Sequence, residues 1–159
     1  MKRHYPTPTH FRPQNFSKYV GDIRNITMRS SWEARFASWC DSNPAVLRWG
    51  SEIRAIPYYS QVDKRMRNYF PDFWILVQEK DGNEKKFVVE IKPKSQMEKP
   101  QYTRRKNRLK FLEEAITFQR NQDKWTAAKK FADKHGFTFI VINEDDLRNK
   151  IRGERYDTF

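Results

Sequence analysis

Tyr69-Phe70-Pro71-Asp72-Phe73-Trp74-Ile75-Leu76-Val77-Gln78, then Glu79-Lys80-Asp81-Gly82-Asn83, then Lys85-Lys86-Phe87-Val88-Val89-Glu90-Ile91-Lys92-Pro93 decides the fold. The first and third runs are rich in aromatic and β-branched residues, and the middle run is a turn cluster, so the stretch predicts a β-hairpin. Its register decides what the hairpin carries. A two-residue Asp81-Gly82 loop would set Asp72 opposite Ile91. A three-residue loop, Lys80-Asp81-Gly82 with Gly82 left-handed at a bulge, sets Glu79 opposite Asn83 and Asp72 opposite Glu90. The three-residue loop is the expectation, because it gathers two carboxylates and Lys92 in one place; side chains alternate along a strand, so Glu90 and Lys92 share a face.

Upstream, Ser30-Ser31-Trp32-Glu33 fits a capping box, and Trp32, Phe36, Trp39 and Cys40 recur at helical spacing until Asn43-Pro44 stops the run. Short strands are expected at Val46–Trp49 and Glu52–Tyr58, followed by a basic loop from Tyr59 to Asn68. Downstream, Leu109, Leu112, Ile116 and Gln119 mark a helix over Thr103–Gln119, and Trp125, Ala128, Phe131 and Ala132 mark a second over Asp123–His135, closed by Gly136. Phe137–Ile142 reads as a buried strand, and Asn143 as the cap of a short helix, Glu144–Lys150. This order predicts an α/β domain with a mixed central sheet flanked by helices over residues 30–150. Residues 1–29, with three prolines and six Lys or Arg, read as a basic arm only partly ordered by Phe16, Tyr19, Ile23 and Ile26. Residues 151–159 read as a tail.

Composition narrows the function classes. The 159 residues carry 32 Lys plus Arg against 20 Asp plus Glu, a formal charge of +12, and a single cysteine, Cys40. One cysteine excludes a disulfide scaffold, and no apolar run nears the ~20 residues that span a bilayer. The basic start lacks an apolar stretch behind it, so no secretion signal is read and a reducing cytoplasm is expected. A basic surface interleaved with aromatics suits a polyanion such as nucleic acid, or is simply a solvated face.

Charged residues inside strands otherwise fit for burial carry the chemical argument. Asp72, Glu90 and Lys92 are costly to bury unless paired or bound to metal. Adjacent carboxylates repel, and a hard divalent cation with oxygen ligands relieves that repulsion. Magnesium is the first candidate, with manganese as its substitute, held by Asp72, Glu90 and the Ile91 carbonyl. Lys92 would orient a water or offset charge on a phosphate. The competing reading is a half-buried ion-pair network without catalysis.

Pro71-Asp72 followed by Glu90-Ile91-Lys92 resembles the PD-(D/E)xK nuclease superfamily, which expects an acid on an upstream helix; Glu33 supplies one, although it also fits the helix cap. The series Arg67-Asn68-Tyr69-Phe70-Pro71-Asp72-Phe73, Val89-Glu90-Ile91-Lys92-Pro93, Lys124-Trp125-Thr126-Ala127-Ala128 and His135-Gly136-Phe137-Thr138-Phe139-Ile140-Val141-Ile142-Asn143-Glu144-Asp145-Asp146-Leu147 resembles the TnsA-type endonucleases. Arg29-Ser30-Ser31-Trp32-Glu33, Trp39-Cys40-Asp41 and Ile91-Lys92-Pro93-Lys94-Ser95-Gln96 are similar to the head completion nucleases of T-even-type phages. The resemblance implies a restriction-endonuclease-like core and a metal-dependent DNase with endo- and exonucleolytic activity and low sequence specificity, used in joining heads to tails. It implies catalytic roles for Glu33, Asp72, Glu90 and Lys92. TnsA-type sites often carry Gln where this chain has Glu90.

Double-stranded DNA is the expected partner, with phage head, portal or neck proteins, no membrane and no small-molecule cofactor. The expected location is the host cytoplasm during assembly, or the virion. Lys94, Gln96, Arg67, Arg104, Arg105 and Arg108 are the candidate DNA contacts, which position a duplex through its phosphates. Trp32, Trp39, Trp74 and Trp125 fall on apolar faces and read as core. Alternatives are a non-catalytic DNA-binding protein of the head or neck, and a transposon end-cleaving subunit that needs a partner transposase.

Overall fold

The computed structural model describes residues 7–151; residues 1–6 and 152–159, with the basic start of the arm and nearly all of the tail, lie outside the described residues. Four strands form the central sheet: β3 (Val46–Ser51), β6 (Phe73–Gln78), β7 (Glu84–Ile91) and β8 (Thr138–Ile142), side by side in that order. β3, β6 and β7 run antiparallel and β8 joins β7 in parallel, so the sheet is mixed. The parallel step requires a crossover. It is supplied by α2 (Lys94–Met97) and the long α3 (Arg108–His135), while α1 (Ser31–Ser42) and α4 (Glu144–Ile151) complete the helices. Two small sheets stand beside the main one, β1 (Thr9–His10) with β2 (Thr27–Met28) and β4 (Ile56–Ser60) with β5 (Arg65–Tyr69).

The β6–β7 hairpin has the three-residue loop. The Glu79 N–H donates to the Asn83 carbonyl at 2.7 Å, the Gly82 N–H donates to the Glu79 carbonyl at 3.0 Å, and Gly82 sits at φ 86°. That left-handed conformation is open to glycine at little cost. Gln78 faces Glu84, Trp74 faces Val88 and Phe73 faces Val89, which continues to Asp72 beside Glu90.

Alternation sends the two faces of the sheet into different clusters. Phe73, Ile75, Phe87, Val89 and Ile91 pack with Phe36, Ala37 and Cys40 of α1, Leu147 of α4, and Trp49. Trp74 and Val88, one residue out of phase, pack with Ala128 of α3 and with Ile56, Tyr58 and Tyr69 of the β4–β5 hairpin. Trp49 and Trp74 are thus core, and Trp32 and Trp39 flank the first cluster.

Several expectations change. The strand expected over Tyr69–Gln78 is two: β5 ends at Tyr69 and β6 starts at Phe73, because Pro71 offers no N–H to a ladder. The basic segment expected as a loop from Tyr59 to Asn68 is mostly the β4–β5 hairpin, whose pairing runs from Ile56 opposite Tyr69 to Ser60 opposite Arg65. Arg65 to Asn68 are all exposed, so no apolar alternation announced the strand. The two helices expected around residue 120 are the single α3, since Arg120-Asn121-Gln122 contains no glycine or proline to stop it. Asp123 is buried, accepting from the Gln61 N–H at 2.8 Å and Gln119 Nε2 at 2.9 Å, which ties mid-helix to the β4–β5 turn. α3 also starts later than expected: Asn107 caps it through the Leu109 N–H at 2.8 Å, and Arg104 and Arg105 lie in the turn before it.

The described part of the lead-in packs into the domain. Tyr19, Ile26 and Met28 are buried in the α1-side cluster, whereas Phe16 and Ile23 remain exposed. Lys18 Nζ donates to the carbonyls of Cys40, Asp41 and Asn43 at 2.8–2.9 Å, satisfying the end of α1, and the Asp41 carboxylate accepts from the Gln14 and Asn15 N–H groups. These residues are spaced without a period, so the sequence carried no sign of their burial. Among the described residues no helix is long and apolar enough to cross a membrane.

Candidate active site

Asp72, Glu90 and Lys92 lie on the face that looks toward α3. Asp72 has the parity of Trp74, and Glu90 and Lys92 have that of Val88, so all three leave the sheet on the α3 side, at the end where β6 begins and β7 stops. Ile91 donates its backbone N–H to Asp72 Oδ2 at 2.7 Å, which fixes the carboxylate against the end of β7. Glu90, only 3% exposed, accepts from the Tyr69 hydroxyl through Oε2 at 2.5 Å and pairs through Oε1 with Lys92 Nζ at 3.2 Å. Lys92 stands where the chain leaves the sheet, its N–H donating to the Ile142 carbonyl at 3.0 Å.

The electrostatics are those of a carboxylate pair short of positive charge. Burial first, and the Glu90 carboxylate second, hold the Asp72 carboxyl well above the usual aspartate range, against the opposing pull of the Ile91 N–H. Burial would lower the Lys92 ammonium, but Glu90 and Asp72 outweigh it and the net shift is upward. Burial and Glu90 likewise raise the Tyr69 phenol, so it stays a protonated donor.

Glu33 sits in the first turn of α1, on the opposite side of the sheet, and it caps the helix. The Glu33 N–H donates to Ser30 Oγ at 3.1 Å, Ser30 Oγ donates to Glu33 Oε1 at 3.2 Å, and the Arg29 N–H donates to Glu33 Oε2 at 2.9 Å. Its charge nevertheless reaches the end of the sheet, adding to the upward shifts of both Asp72 and Lys92. Among the described residues no three His, Cys, Asp or Glu side chains converge as a metal cluster. The side-chain donor set is therefore two carboxylates, and the residue between Glu90 and Lys92, Ile91, offers its carbonyl as a backbone oxygen. Each carboxylate oxygen accepts more than one partner, so the bonds from Tyr69 and Lys92 leave lone pairs on Glu90. Two desolvated carboxylates whose repulsion Lys92 and the Ile91 N–H relieve only in part fit a hard divalent cation.

Two residues that received no role from the sequence stand in this site. Tyr69, at the end of β5, orients Glu90. Lys124, on α3, holds its Nζ 5.5 Å from the centroid of the Tyr69 ring. Burial first, then the neighbouring Lys92 charge, lower the Lys124 ammonium. The available signal for Lys124 was its place four residues before Ala128, which puts both on one helical face.

The expected DNA contacts are spread more widely. The Lys94 N–H donates to Glu144 Oε2 at 2.8 Å and its Nζ stands 3.6 Å from Asp145 Oδ2, so Lys94 is engaged by the start of α4. Arg67 Nε lies 3.4 Å from Asp63 Oδ2, and Arg120 approaches the other oxygen of that carboxylate at 3.2 Å. Gln96 is exposed and lines a cavity of about 620 Å³ with Lys99, Lys106 and Lys110. Arg104, Arg105 and Arg108 are exposed in the turn before α3 and at its start, and among the described residues no hydrogen bond or ion pair joins them to Asp72, Glu90 or Lys92.

Comparison with known proteins places the chain among nucleases. Residues 43–144 match the family model of the TnsA-like endonuclease N-terminal domain, a range that holds Asp72, Glu90, Lys92 and Lys124. A head completion nuclease of Enterobacteria phage T4 is 41% identical over 139 residues, covering 86% of this chain and 90% of that protein. No solved structure matches the chain. The mixed sheet flanked by helices is the restriction-endonuclease-like core. With its carboxylates and lysine gathered at the end of a hairpin inside the matched range, the chain belongs to the TnsA-like endonuclease family.

Proposed function

We propose that this nuclease is a divalent-metal-dependent deoxyribonuclease that cuts within duplex DNA and at its ends with low sequence specificity, and that it serves phage head completion and head–tail joining. The observation that carries the reading is the Asp72–Glu90 pair, two desolvated carboxylates side by side with Lys92 at 3.2 Å from one of them. Such a pair weakens a merely structural core and suits a site that takes a cation and a phosphate. The T4 relative's designation as a head completion nuclease supports the biological setting.

Asp72, Glu90 and the Ile91 carbonyl would hold magnesium or manganese, which supplies Lewis-acid polarisation of a phosphodiester and acidifies an attacking water. The Ile91 N–H and Tyr69 hydroxyl fix the two carboxylates, so the donor set needs little reorganisation. Lys92, charged throughout the physiological range, would orient the water or balance the negative charge that grows on the phosphate as the new P–O bond forms and the ester bond breaks. Glu33 would act through its charge from the first turn of α1. Arg67, Lys94, Gln96, Arg104, Arg105 and Arg108 would meet the backbone away from the cut, a contact set without base readout and hence with low sequence specificity.

Incubation of the purified protein with supercoiled circular and linear duplex DNA tests the reading. Magnesium or manganese should convert circles to nicked and linear forms and shorten linear molecules, and EDTA should stop both. Duplex binding without cutting under any divalent cation would overturn it in favour of a non-catalytic DNA-binding protein of the phage head or neck.

A further inference from the structure

Lys124 is the cation of the site that no carboxylate claims. Lys92 is paired with Glu90, Arg67 and Arg120 share Asp63, and Lys94 is engaged by Asp145. Lys124 is partly buried and has no ion-pair partner among the described residues; its Nζ stands over the face of the Tyr69 ring, 5.5 Å from the centroid. Tyr69 in turn donates to Glu90, so one aromatic ring separates Lys124 from the carboxylate pair. A partly buried ammonium without a carboxylate in ion-pair contact, placed beside another lysine and balanced only at longer range by Glu90 and Asp72, costs stability. A DNA phosphate, which the protein meets only when it works, would supply the anion that Lys124 lacks.

We propose that Lys124 is a further catalytic residue, its ammonium contacting the DNA phosphate at the point of cleavage from the α3 side while Lys92 acts from the end of β7. The inference rests on the nuclease reading of the same site and extends it to a second lysine. α3 then serves as the wall that closes the phosphate between itself and the carboxylates, with Tyr69 as the shared support. Burial and the Lys92 charge lower the Lys124 ammonium against the opposing pull of Glu90 and Asp72, which agrees with a cation close to the carboxylates that a phosphate would complete.

Lys124→Met and Lys124→Arg, compared with wild type, test this by three readings: cutting of linear duplex in magnesium, thermal unfolding, and the salt dependence of duplex binding in EDTA. Lys124→Met should slow cutting by at least about 100-fold, with Lys124→Arg recovering much of the loss. Its unfolding midpoint should equal or exceed that of wild type, since an unpaired cation has been removed. The slope of log affinity against log salt should fall by about one, the value of one lost phosphate contact. Cutting by Lys124→Met within about threefold of wild type would overturn the proposal, and so would an unchanged salt slope. If wild type itself fails to cut with any divalent cation, the nuclease reading falls separately, and the phosphate contact stands or falls on the salt slope alone.

Discussion

The two faces of the central sheet are made by the same strands one residue out of phase, and they solve opposite problems. Toward α1, Phe73, Ile75, Phe87, Val89 and Ile91 meet Phe36, Ala37 and Cys40 in a wholly apolar contact, with the Phe36 and Phe73 rings edge to face at 4.8 Å. Toward α3, Trp74 and Val88 begin the same kind of packing, but the positions that continue it are Asp72, Glu90 and Lys92. One face maximises burial. The other gives up apolar area at its end and places there a carboxylate pair in which burial first, and repulsion by Glu90 second, raise Asp72. On the proposed function, stability and chemistry are separated by the strand period, and substitutions on the two faces should be separable in the same way.

The sharpest break between the faces is expected from Asp72→Asn or Glu90→Gln. Each should reduce magnesium-dependent cutting by on the order of 10²–10³-fold or more, while relief of carboxylate repulsion leaves metal-free thermal unfolding unchanged or slightly improved. In the same comparison, magnesium should raise the unfolding midpoint of wild type and not that of Asp72→Asn, as measured by calorimetry. Phe73→Ala, one residue away and facing α1, should do the reverse. Loss of a fully buried aromatic should cost about 3–5 kcal/mol in denaturant unfolding, with the molecules that remain folded still cutting. Tyr69→Phe tests whether the α3 face needs its support: without the hydroxyl that holds Glu90, cutting should fall roughly 10–100-fold with little change in the unfolding midpoint. The smallest effect belongs to Lys18→Met, which strips three carbonyls at the end of α1 of their donor. Unfolding should cost about 1–3 kcal/mol less, and the cutting rate should not change.

What the sequence made legible was what local chemistry decides. The Lys80-Asp81-Gly82 loop was readable because only one register sets Asp72 beside Glu90, and Gly82 allows the turn that register needs. The Ser30–Glu33 cap and the Asn143 cap, whose Oδ1 accepts from the Asp145 and Asp146 N–H groups, were readable because caps lie within four residues of what they satisfy. The β4–β5 hairpin was hidden because β5 is exposed and basic along most of its length; it is held by its ladder to β4 and by α3, both outside any local window. α3 looked like two helices because Asn121 and Asp123 interrupt its apolar stripe, yet both are buried and Asp123 docks on the β4–β5 turn. Lys124 stood in a run that resembles the TnsA-type endonucleases but received no role, since a lysine on a long basic helix comes near the carboxylates only once the crossover has brought α3 over the hairpin.

The account's central claim is that the charged end of the α3 face exists for phosphodiester cleavage and not for stability. Lys92→Ala tests it most directly, because the substitution removes the lysine and leaves both carboxylates in place. Cutting of circular and linear duplex should be measured in magnesium and in EDTA alongside thermal unfolding of the same preparations. The predicted result is magnesium-dependent cutting by wild type that disappears in Lys92→Ala, with the two unfolding midpoints within a few degrees. A marked fall in the midpoint with cutting retained would contradict it, and would make Asp72, Glu90 and Lys92 an ion-pair network that holds the end of the sheet.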